Sequence, residues 1–66
     1  MKTDELRGLI AKKRLSLTKV AKSIGVTPKT FYSKMNKGVF GSDEISIMVK
    51  ELDIDNDTAM DIFFGQ

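Results

Sequence analysis

A chain of 66 residues forms one domain, residues 1–66, and at this length folding buries only about 60% of the surface that the unfolded chain exposes. It holds no cysteine and no histidine, so disulfides, thiolate zinc sites and the commonest catalytic bases and nucleophiles are excluded, and no enzyme is expected. The net charge of +2 is divided unevenly: residues 1–37 set ten Lys or Arg against Asp4 and Glu5, a balance of +8, whereas residues 38–66 set Lys50 against seven acids, a balance of −6.

Apolar spacing predicts helices along nearly the whole chain. Thr3 is expected to cap a first helix in which Asp4 and Glu5 complement the macrodipole, Leu6, Leu9 and Ile10 share a face, and Lys12, Lys13 and Arg14 form the last turn. Ser16 caps a second helix, because Leu17, Val20, Ala21 and Ile24 fall at i, i+3, i+4 and i+7 and Leu15 can staple onto Val20. Gly25, free to enter the left-handed region, stops it.

The third helix has the best-marked start. Thr27 serves as N-cap, Pro28 stands at N1 where its missing N–H costs nothing, and Val26 and Phe31 occupy the two staple positions. Phe31 and Met35, one turn apart, are assigned to the core, which turns Pro28, Lys29, Tyr32, Ser33 and Asn36 outward. Lys37 and Gly38 end the helix, and Phe40 anchors the following turn. Ser42 is expected to cap a fourth helix with Ile45, Met48, Val49 and Leu52 as its buried stripe. A short fifth helix begins at Asp55 or Asp57 and runs to Phe64, burying Ala59, Ile62 and Phe63. The brief alternation at Ile45-Ser46-Ile47 is too short to predict a strand.

Two short helices joined by a turn that opens on glycine form a helix-turn-helix layout, and LSLTKVAKSIGVTPKTFYSKMNKG resembles the DNA-binding segment of the phage-repressor family (Cro/C1-type, also called XRE). Leu15, Val20, Ala21, Ile24, Gly25, Val26, Thr27, Thr30, Phe31 and the run from Asn36 to Gly38 carry the likeness. The tail EISIMVKELDIDNDTAMDIFF is similar to the two closing helices of those domains, including an L-x-I corner at Leu52 to Ile54. The resemblance implies an all-α fold, a compact five-helix lambda-repressor-like DNA-binding domain with the helix-turn-helix at helices 2 and 3.

It also implies a sequence-specific transcription regulator that reads a double-stranded DNA operator through a recognition helix at 28–36 and occludes a promoter. Base contacts then fall to Pro28, Lys29, Tyr32 and Ser33. Phosphate contacts fall to Thr18, Lys19, Thr30, Asn36 and Lys37, with Lys34 a further candidate. Leu17 stands where many relatives carry a hydrogen-bonding glutamine, and is read as core or dimer surface. Lys12, Lys13 and Arg14 serve equally as a charged helix end or as backbone contacts.

One recognition helix spans few base pairs, so relatives pair two copies on a pseudo-palindrome, and a homodimer is expected at least on DNA. Two adjacent phenylalanines on a short helix cannot both face one core. Phe63 is therefore placed inside, and Phe64, with Ile62 or Met60, at a partner surface. A different class of function stands beside this one: a protein-interaction module that binds a second phage regulator, as a modulator, anti-repressor or antitoxin does. Neither reading calls for a cofactor or metal. The charged opening MKTDELRGLIAKKR and the lack of any apolar run near the roughly 18 residues of a membrane span predict a cytoplasmic protein without a membrane partner.

Overall fold

The computed structural model describes residues 1–65, and among these the chain forms five helices and no strand. In chain order they are α1 (Thr3–Lys12), α2 (Leu17–Ile24), α3 (Pro28–Lys37), α4 (Ser42–Leu52) and α5 (Asn56–Phe64). The all-α class read from the sequence is the class observed. α2 packs against both α3 and α4, while α1 packs against α5.

Local chemistry explains most of the boundaries. The Ser16 hydroxyl accepts the Lys19 amide at 3.0 Å, and the Thr27 hydroxyl accepts the Thr30 amide at 3.2 Å, so both expected caps are in place. Asp55, the earlier of two expected starts, caps α5 by accepting the Thr58 amide at 2.7 Å. Gly25 and Gly38 stop α2 and α3 at φ 83° and 69°, a region where a side chain is strained. α1 and α4 end through left-handed residues that are not glycine, Arg14 at φ 60° and Asp53 at φ 51°. The helical part of α1 therefore closes at Lys12, and Arg14 belongs to the turn.

Two expected caps are corrected. Thr3 is the first residue of α1, not its cap, and its hydroxyl donates to the Met35 carbonyl at 3.1 Å on α3. A tertiary acceptor takes the group that local pattern assigned to capping. Ser42 likewise lies inside α4, one residue past the cap Gly41. The Ile45 amide, which a Ser42 cap would have bonded, donates to the Gly41 carbonyl at 2.9 Å, and the Glu44 carboxylate accepts the Gly41 amide at 2.8 Å, so the helix starts one residue earlier.

The core collects Leu6 and Ile10 of α1, Val20, Ala21 and Ile24 of α2, Phe31 and Met35 of α3, Met48 and Leu52 of α4, and Ala59, Ile62 and Phe63 of α5. Each fully buried aliphatic or aromatic side chain contributes about 1.5–3 kcal/mol relative to exposure. Ile45 and Val49 complete the α4 stripe from its half-buried edge, as do Leu15 and Leu17 for α2. Phe40, between α3 and α4, bridges Phe31 at 5.6 Å and the edge of Phe63 at 6.5 Å. Ile62 is buried, so the outward α5 pair is Met60 with Phe64, and Ile62 is withdrawn from the partner surface.

The two ends of the sequence are latched. The Lys2 amide donates to the Ile62 carbonyl at 2.8 Å, and the Lys2 ammonium bonds Asp61 at 2.8 Å. That hydrogen bond and the nearby carboxylates hold the Lys2 pKa above the ordinary lysine value, against a smaller desolvation effect than the bond itself.

Candidate nucleic-acid interface

The buried residues of α3 dictate which side chains are left outside. With Phe31 and Met35 fully enclosed, Pro28, Lys29, Tyr32, Ser33, Asn36 and Lys37 are all exposed, Tyr32 at 41%. Lys29, Tyr32, Ser33 and Asn36 follow the i, i+3, i+4, i+7 spacing of one helix face. Among the described residues the surface has no pocket.

Electrostatics set this region apart. From Leu6 to Ser42 the sequence has no Asp or Glu. The first turns of α2 and α3 accordingly lack acids, whereas those of α1, α4 and α5 carry Asp4 and Glu5, Asp43 and Glu44, and Asp57. The positive ends of the α2 and α3 dipoles are thus left uncompensated by the helices' own side chains. The Leu17 and Thr18 amides precede the first intrahelical bond of α2, and Thr18 and Lys19 are exposed beside them. An anion approaching α2 meets amides and an ammonium together.

Thr30 is prepared as a donor by its neighbour. The Thr27 hydroxyl accepts the Thr30 amide and donates its own proton to the Thr30 hydroxyl oxygen at 3.0 Å. The exposed Thr30 hydroxyl thereby keeps its own proton for a further acceptor. Lys29 and Lys37 extend from the exposed face. Lys34 does not: its ammonium lies 3.0 Å from the Glu44 carboxylate, with the side chains 32% and 12% exposed. Of the six residues read as phosphate contacts, Thr18, Lys19, Thr30, Asn36 and Lys37 lie open, and Lys34 is turned toward α4.

Sequence reasoning missed Arg7. On α1, its guanidinium carbon stands 5.9 Å from the centre of the Tyr32 ring, adding a cation at the edge of the α3 ridge. The pair joins two different helices, so no periodicity along one helix points to it. Sequence reasoning also missed Glu44, an acid in the first turn of α4 that bonds both Gly41 and Lys34.

The second exposed feature is apolar. Phe64 is 64% exposed and Met60 57%, one helical turn apart on α5. Among the described residues no helix is long and apolar enough to cross a membrane. Comparisons with family models, with curated proteins and with solved structures found no match to this chain.

Proposed function

We propose that this chain is a sequence-specific double-stranded DNA-binding transcription regulator of the Cro-like, small phage-repressor kind, which lays α3 into the major groove of an operator and occludes a promoter. The observation that carries the reading is the exposed ridge of Lys29, Tyr32, Ser33 and Asn36, set in a stretch without a carboxylate from Leu6 to Ser42. A helix with its side chains is about 10–12 Å across, and the major groove is about 12 Å wide. In that pose Lys29 donates to guanine O6 and N7, Ser33 serves a donor or an acceptor, and Tyr32 offers its hydroxyl or its ring to a thymine methyl. Pro28 contributes van der Waals contact. Thr18, Lys19, Thr30, Asn36 and Lys37 fix register on phosphates, joined by Arg7 at the α1 edge.

Two copies bound to half-sites about 34–36 Å apart would give the affinity that one helix cannot, with Met60 and Phe64 as their contact. Binding of this kind needs no cofactor. The cytoplasm, where an operator is accessible, is the place for it.

Titration with a duplex selected from a random pool tests the reading. Log K should fall against log[salt] with a slope of about −0.9 per phosphate neutralised. Lys37→Ala should weaken all duplexes alike, whereas Lys29→Ala or Ser33→Ala should change preference between sequences by about 1–3 kcal/mol. Failure to bind any duplex in dilute buffer would sink the proposal.

The exposed Phe64 and Met60 favour a second reading, a module that binds another regulator. It predicts a salt-resistant complex with a co-encoded protein, abolished by Phe64→Ser. A variant that loses its partner yet keeps duplex binding would assign α5 to protein contact and α3 to DNA.

A further inference from the structure

The last turn of α3 is held from two sides. From α1, Thr3 donates to the Met35 carbonyl at 3.1 Å. From α4, one oxygen of Glu44, Oε1, accepts both the Gly41 amide at 2.8 Å and the Lys34 ammonium at 3.0 Å. Between these points the connection is fixed as well, with Gly38 left-handed at φ 69° and Phe40 packed on Phe31 and Phe63. Glu44 is therefore the junction of three parts: the α3 end, the turn and the α4 start. Its side chain is only 12% exposed, so water screens the pair less than it would a surface ion pair. Lys34 is the one lysine of α3 paired among the described residues, where Lys29 and Lys37 have no carboxylate within bonding distance.

We infer that the Glu44–Lys34 pair is a positioning device for sequence discrimination: it fixes the angle at which α4 presents α3, and Lys34 itself touches no phosphate. This rests on the DNA-binding reading. A recognition helix reads bases through side chains aligned to fixed donor and acceptor positions, whereas phosphate contact tolerates small rotations because the charge is spread along the backbone. Loosening the α3–α4 junction therefore lowers the preference for the selected sequence more than the affinity for any duplex. Glu44 and Lys34 act through the helix, not on the base.

Glu44→Gln keeps an acceptor for the Gly41 amide and removes the charge that holds Lys34. Lys34→Met removes the other partner and retains a side chain that can pack, and Lys34→Arg keeps the pair. The full chain and these variants, each checked for helicity by circular dichroism, are titrated over a salt series with a duplex selected by the unmodified chain and with an unselected duplex of equal length. The expected result is a fall of roughly tenfold in the ratio of the two affinities for Glu44→Gln and for Lys34→Met, near a single base contact's worth of discrimination. Lys34→Arg should retain the ratio. The Lys34→Met salt slope should equal that of the unmodified chain, and the Glu44→Gln slope should be unchanged or steeper by about 0.9 as Lys34 is released toward a phosphate.

A Lys34→Met slope shallower by about 0.9 with the ratio unchanged would make Lys34 an ordinary phosphate contact and overturn the inference alone. Retention of the ratio in both Glu44→Gln and Lys34→Met would also overturn it while leaving the DNA reading intact. Absence of binding by the unmodified chain to either duplex would remove both.

Discussion

The guanidinium carbon of Arg7 stands 5.9 Å from the centroid of the Tyr32 ring, so α1 reaches the outer face of α3 through a side chain as well as through the core. A cation over an exposed aromatic face is worth about 0.5–1 kcal/mol. A double-mutant cycle of Arg7→Ala and Tyr32→Leu, followed by urea unfolding, should return a coupling energy of that size. Additive losses would mean that the two groups do not hold one another in solution.

The corrected helix starts separate two hydroxyl residues that look alike in sequence. Thr27→Ala removes the acceptor for the Thr30 amide and should cost about 1 kcal/mol. Ser42→Ala should stay within about 0.5 kcal/mol, because Gly41 is the cap and the Ser42 side chain makes no capping bond. Equal losses in chemical denaturation would restore Ser42 as a cap.

Arg14, at φ 60°, carries a side chain in a backbone region where it costs roughly 1–2 kcal/mol. Arg14→Gly removes that cost but adds unfolded-state entropy, for a net gain of about 0.5–1 kcal/mol. Asp53, at φ 51°, should gain less on replacement by glycine, since a short polar side chain tolerates the conformation. The order of the two urea midpoints, at constant m-value, is the measurement.

The features legible in the sequence were those written within four or five residues. Ser16 with Lys19, Thr27 with Pro28 and Thr30, and the two glycine stops each depend on neighbours along one helix turn, and the structure has them as read. The outward face of α3 follows from the same local rule once Phe31 and Met35 are known to be inside. What escaped depends on chain segments meeting in space. Thr3 serves Met35 across 32 residues, Lys34 meets Glu44 across 10, and Arg7 meets Tyr32, and each pair joins two different helices, so no periodicity along one helix points to it. The basic count of the first 37 residues had Lys34 as a free charge, when its ammonium is turned toward α4.

Asp55 makes stability depend on acid. Its carboxylate accepts the Thr58 amide at 2.7 Å, and hydrogen bonding from Thr58 holds its pKa below the usual 3.8. A depressed folded-state pKa contributes stability that is complete above the unfolded value and is lost as pH falls through the folded one. Asp55→Asn keeps a cap that cannot titrate. Below about pH 4, the thermal midpoint of the unmodified chain should fall more steeply than that of Asp55→Asn, whereas parallel curves would remove Asp55 from the acid response.

The bonds from Lys2 to Ile62 and Asp61 join positions about sixty residues apart, so the loop they shut is nearly the whole polypeptide. Closing so large a ring is costly for a collapsing chain to do early, so it is expected to form after the local helices dock. Lys2→Ala, which deletes the Asp61 bond and leaves the Lys2 amide on Ile62, should therefore raise the unfolding rate in stopped-flow chevrons while the refolding limb stays where it was. The two ends thus govern how long the molecule persists once folded more than how quickly it gets there.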